Sequence, residues 1–83
     1  MWFVYVLLCE DGSFYTGVTN NLEKRFLDHK NGKGGYYTRS HKPIRLVYSE
    51  ELPTHSAALK REAEIKDWSR EKKIRTLLLK TIR

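Results

Sequence analysis

Arg25 and His29 stand one helical turn apart, on the face that Leu22 and Phe26 must turn toward a core. Residues spaced i, i+3, i+4 and i+7 share one side of a helix. A guanidinium and an imidazole placed there can hold an anion and move a proton. They can equally be a snorkelling arginine and a satisfied boundary histidine. Glu62 raises the same question farther along the chain. On a helix turning about 100° per residue, Ala58 and Ile65 mark a buried stripe, and Glu62 falls between it and Leu59. A carboxylate so placed must be paired, protonated or bound to a cation. An ion pair with Arg25 would satisfy it as well as a metal would. Arg61 also borders the stripe, but its longer side chain can escape to water.

Two phenols come next. If Glu10-Asp11-Gly12 forms a three-residue hairpin loop with Gly12 left-handed, Cys9 faces Ser13, Leu7 faces Tyr15 and Tyr5 faces Gly17. Tyr5 and Tyr15 then share one sheet face as diagonal neighbours, with open space at Gly17 beside Tyr5. A two-residue turn would put them on opposite faces. No acid occurs from His29 through Ser49, while Lys30, Lys33, Arg39, Lys42 and Arg45 do. With Gly32, Gly34, Gly35, Tyr36 and Tyr37 among them, this stretch suits phosphates and unstacked bases. The run Arg70, Lys72, Lys73, Arg75 reads better as a solvated helix face.

The elements that must position these residues follow from periodicity and punctuation. Trp2 to Leu8 reads as a strand, Glu10 to Ser13 as a turn and Phe14 to Val18 as the return strand. Asn20 with Glu23 resembles a helix-start box, and the helix should run to about Asn31 with Gly32 as its stop. A long loop from Gly32 to Pro43 leads to a third strand, Ile44 to Ser49. Pro53-Thr54 opens a helix from about His55 to Trp68, and Ser69 caps another from about Arg70 to Lys80. The order ββαβαα predicts an α+β fold, a small mainly antiparallel three-stranded sheet flanked by helices.

The 83 residues are 40% hydrophobic and carry ten aromatics, which suits one domain over residues 1–83 with a thin core. Sixteen Lys+Arg against ten Asp+Glu give a net charge of +6, pointing first to polyanionic partners. Cys9 is the only cysteine, which excludes an internal disulfide and a thiolate zinc cluster. The apolar run Trp2 to Cys9 is too short to span a membrane and lacks a basic leader. A cytoplasmic protein with no membrane partner is the expectation.

Tyr5, then Tyr15-Thr16-Gly17, then Leu22-Glu23-Lys24-Arg25 with His29, then Glu62 together resemble the GIY-YIG nuclease domain. The closer likeness is to its small stand-alone bacterial members. Lys42-Pro43-Ile44-Arg45-Leu46-Val47-Tyr48, Ala58 to Glu62 and Ile65 to Ser69 add to the match, which covers nearly all of residues 2 to 78. The resemblance implies that Tyr5 activates the attacking water, Tyr15 orients water or phosphate, and Arg25 holds the scissile phosphate. It implies that His29 supports the base tyrosine, that Gly17 completes the motif, and that Glu62 binds one divalent cation, Mg²⁺ or Mn²⁺. The chain departs from the family where Val18 replaces a lysine many members carry, and where Ile74 stands near an expected asparagine.

The function so implied is metal-dependent hydrolysis of DNA phosphodiester bonds with little sequence specificity, in repair or recombination. In-line hydrolysis needs a base, charge neutralisation and help for the leaving oxygen, and these residues could supply them. The alternative is a non-catalytic nucleic-acid-binding module on the same scaffold. Glu62 weighs against it, since a lone carboxylate hinders polyanion binding unless a metal bridges them. A protein-interaction adaptor ranks below both, because no exposed apolar stripe is expected once the core is assigned.

Overall fold

The computed structural model describes residues 1–33 and 41–78, with Leu78 as backbone only. The central sheet orders its strands β2-β1-β3. Strand β1 (Trp2–Cys9) is flanked by β2 (Phe14–Thr19) and β3 (Pro43–Leu52), and both pairings are antiparallel. Each strand runs one or more residues beyond its predicted limits. Three helices complete the ββαβαα order: α1 (Leu22–Lys30), α2 (His55–Lys66) and α3 (Arg70–Lys73).

The hairpin forms as its loop chemistry requires. Gly12 adopts φ +84°, its N–H donates to the Cys9 carbonyl at 2.9 Å, and Cys9 N–H donates to Ser13 O at 2.9 Å. Asp11 Oδ1 accepts from Ser13 N at 3.0 Å and Ser13 Oγ at 2.6 Å, which stiffens the turn. Tyr5 therefore pairs with Gly17 and Leu7 with Tyr15. In β3 the register against β1 shifts twice, between Val6 and Leu7 and between Leu8 and Cys9. These bulges leave Val47 and Ile44 without a directly opposed partner. The first lets both Val47 and Tyr48 pack toward the same core.

Sheet parity divides the molecule. Val4 and Val6 face a core completed by Val47, Ile65 of α2 and Leu77. Tyr5 lies between them in sequence, so it faces the other side, where α1 packs. Burying the Val4 side anchors α2 and the C-terminal segment, and the opposite face is left to the polar cluster.

Helix α1 is capped by Asn21, whose Oδ1 accepts from Lys24 N at 3.1 Å, rather than by Asn20. The reason is local: Thr19 Oγ1 accepts from Asn21 N at 3.0 Å, which carries the chain one residue farther before the helix starts. At its end Gly32 takes φ +77° and donates to His29 O at 3.2 Å, while Lys33 N donates to Asp28 O at 2.7 Å. Those paired bonds close the last turn just after His29. Helix α2 starts at the Thr54 cap and stops at Lys66, two residues short of Trp68. Ser69 caps α3 as expected, but the α-helical part ends at Lys73 and a wider π-helical stretch follows, Ile74–Leu78. The rest of that helix, to Lys80, lies outside the described residues, as do Gly34, Gly35, Tyr36, Tyr37 and Arg39. Among the described residues no helix is long and apolar enough to cross a membrane.

Candidate active site

Tyr5 is 2% exposed and His29 fully buried, yet each is polar at its tip. They satisfy one another: Tyr5 Oη and His29 Nε2 are 2.7 Å apart. The Tyr15 ring packs 4.9 Å from the His29 ring, and the two tyrosine rings lie 6.2 Å apart. The Arg25 guanidinium lies close enough to both phenols to interact with them. Four of the residues singled out by spacing thus converge on one sheet face. Gly17 makes this possible, because a Cβ there would stand 2.6 Å from Tyr5 Oη and 3.1 Å from the Tyr15 ring. The open space expected beside Tyr5 is filled by the Tyr5 phenol itself.

Burial and charge set the protonation of this group. Burial pushes the Tyr5 phenol up to about 12, against the opposing pull of Arg25. Burial, then the nearby Arg25 charge, pushes His29 down to about 4. At neutral pH the pair is a protonated phenol beside a neutral imidazole, so Tyr5 Oη donates and Nε2 accepts. Arg25 is held in its charged form, chiefly by its interaction with Tyr5. A fixed cation, a phenol and an imidazole with an accepting nitrogen are the parts of a phosphate-binding, proton-moving site.

Glu62 is placed differently. Its side chain is 20% exposed, and its ion pair is with Lys66 at 3.4 Å, not with Arg25. Its helix packs Ile65 against Val4 and Val6. Among the described residues no three His, Cys, Asp or Glu side chains gather into a metal cage. A lone carboxylate does fit one kind of cation. Mg²⁺ keeps much of its water and is commonly held by one or two carboxylates together with substrate phosphate oxygens. Glu62 is the residue here that would hold it.

The basic loop residues are only partly gathered. Lys30, Lys33, Lys42 and Arg45 are exposed, and Arg39 lies outside the described residues. Lys30 leans over the Phe26 ring at 5.7 Å. Arg45 pairs with Leu8, which turns it to the α2 side of the sheet and away from the phenols. Arg61, expected to escape to water, is instead held: its Nε donates to Glu50 Oε1 at 3.0 Å and its guanidinium lies over Trp68. Sequence reasoning missed this contact; its one signal was Tyr48 two residues before Glu50 on a strand, where both side chains share a face. Ile44 and Leu46 are 52% and 38% exposed on β3, Ile44 at a bulge and Leu46 in register opposite Leu7.

The family model of the GIY-YIG catalytic domain matches residues 1–75. A UPF0213 protein of Staphylococcus saprophyticus is 48% identical over 75 residues, covering 90% of this chain and 92% of that one. A UPF0213 protein of Staphylococcus epidermidis is 47% identical over the same length. The solution NMR structure of a UPF0213 protein from Bacillus halodurans is 43% identical, covers 98% of this chain and 87% of that one, and superposes with a TM-score of 0.60. By family model, by relatives and by fold, this chain belongs to the GIY-YIG family, among its small bacterial UPF0213 proteins.

Proposed function

We propose that this protein is a divalent-cation-dependent endonuclease that hydrolyses DNA phosphodiester bonds with little sequence preference, serving repair or recombination. The observation that carries this reading is the 2.7 Å contact between Tyr5 Oη and His29 Nε2 with Arg25 against both phenols. Arg25 binds a non-bridging phosphate oxygen and neutralises charge that grows in the transition state. Water is deprotonated by Tyr5, which passes its own proton to His29. One water O–H bond breaks, one phenol O–H bond is renewed, and His29 becomes an imidazolium. Such a relay avoids a free phenolate, which the buried site disfavours. Tyr15, less buried than Tyr5, orients the water or the phosphate. When bound at Glu62, a divalent cation supplies Lewis-acid stabilisation of the phosphate and the leaving oxygen.

A panel of linear, nicked, single-stranded and branched DNA, incubated with Mg²⁺, Mn²⁺ or chelator, tests this reading. The parent protein should cut at least one of them only when metal is present. Tyr5→Phe should lower the rate by about 10²–10⁴-fold, the range of a lost general base. Binding without metal-dependent cleavage on every substrate would leave a nucleic-acid-binding module instead. The near-complete burial of Tyr5 and His29 is the observation that favours that second reading.

A further inference from the structure

Helix α2 has little apolar packing to fix its rotation. Of its twelve residues only Ala58 and Ile65 are buried, and alanine offers no side chain to lock into a groove. Polar and aromatic contacts take over that task. At the N-terminal end, His55 stacks on Trp2 with ring centroids 4.0 Å apart. In the middle, Glu50 of β3 holds Arg61. Glu50 Oε1 accepts from Tyr48 Oη at 2.7 Å and from Arg61 Nε at 3.0 Å. Arg61 Nη1 also donates to Glu64 at 3.2 Å, and its guanidinium lies 5.4 Å from the Trp68 ring. These Arg61 and Glu50 side chains are 28% and 30% exposed. A part-exposed pair adds little net stability, but a carboxylate held by two donors, one a guanidinium, has a well-defined geometry.

We propose that Arg61, anchored on Glu50, is a positioning residue that sets the direction of Glu62. Successive helix residues project about 100° apart, so tying Arg61 to β3 fixes the bearing of the next side chain. The other restraint on the Glu62 carboxylate is its ion pair with Lys66, a side chain 57% exposed. That contact is weak and yields easily to a cation. Without the Glu50 anchor, α2 can roll about its two-residue stripe and carry Glu62 off its bearing. The inference rests on Glu62 being the cation ligand and says what aims it.

Two conservative variants test it. Arg61→Lys keeps the charge and loses the planar fork; Glu50→Gln keeps the shape and loses the charge. The readout is paramagnetic broadening of the Glu62 backbone amide signal as Mn²⁺ is titrated into the protein without DNA. Both variants should need roughly tenfold or more Mn²⁺ for half-maximal broadening, the usual effect of losing a group that orients a ligand. The Mg²⁺ concentration for half-maximal cleavage should rise in parallel, with thermal melting close to that of the parent. Should Arg61→Lys fail to fold, Glu50→Gln alone decides. Parental Mn²⁺ titrations in the folded variants, with broadening abolished in Glu62→Gln, would overturn the positioning role alone. Parental broadening in Glu62→Gln would remove the ligand and its positioning together.

Discussion

At the scale of single residues, His29 is the group whose state the fold alters most usefully. Its folded value is about 4, below the ordinary 6.5, because burial and Arg25 disfavour the imidazolium. The unfolded chain therefore binds the extra proton more readily, and stability must fall as acid is added. The contribution is full above about pH 6.5, declines through the interval down to about pH 4, and amounts to about 3 kcal/mol at most. Denaturant melts between pH 7 and pH 4 should show this slope, and His29→Gln should flatten it. The same reasoning applies to catalysis. Neutral His29 persists well below pH 6.5, so the rate should show no acid limb from His29 near that value; a limb there that disappears in His29→Gln would mean that the fold does not hold the imidazole below its ordinary value. Gly17 is the second telling residue. A methyl there meets Tyr5 Oη at 2.6 Å and Cζ at 2.8 Å, so the buried ring must swing and give up its bond to His29. Gly17→Ala should lose about 1–3 kcal/mol in urea melts, the usual cost of overpacking, and cleavage should fall with it.

At the scale of elements, legibility followed the kind of force that builds each one. The hairpin itself was readable from Gly12 and the strand alternation, but two loop lengths stayed open, and the observed register is the one that puts Tyr5 and Tyr15 on the same face. The Arg25 and His29 face of α1 was readable because period alone puts them beside Leu22 and Phe26. The start of α1 was off by one, because Thr19 and Asn21 share a hydrogen bond that no capping pattern encodes. Strand β3 was harder still. Its two bulges depend on how β1 is packed against it, so neither the pairing of Val47 with the core nor the outward turn of Ile44 follows from alternation. Arg61 illustrates the limit. A helical wheel gives its angle, but its partner Glu50 lies on another element and becomes visible only when β3 and α2 are brought together. Glu62 was singled out as a carboxylate needing a partner, with Arg25 as one candidate; the partner is Lys66, one turn on in the same helix.

At the scale of the whole molecule, a net charge of +6 has to be assigned to a surface before it predicts binding. The C-terminal cations are largely committed within the protein. Arg70 Nη1 donates to Gly12 O at 2.8 Å and its guanidinium sits over Phe14, Lys72 lies over Trp68, and Arg75 pairs with Glu71 at 2.7 Å. Lys33 and Lys42 are exposed on either side of the stretch between α1 and β3, and α1 carries Arg25 and His29. The basic residues of this stretch are therefore the better expected phosphate footprint, with Arg45 excluded because it turns to the other side of the sheet. Each phosphate contact contributes about 0.9 to the slope of log K against log salt. Substituting Lys33, Arg39 and Lys42 together with glutamine should reduce that slope by about two to three, with the loss of affinity similar across unrelated sequences. The measurement is a salt titration of DNA binding in chelator, which separates charge from metal. A parental slope in the triple variant would move the footprint to α3, and the Lys72 and Lys73 side chains would then be the ones to replace. A reduced slope with sequence-dependent losses would mean that base contacts had been removed as well, contrary to a purely electrostatic grip.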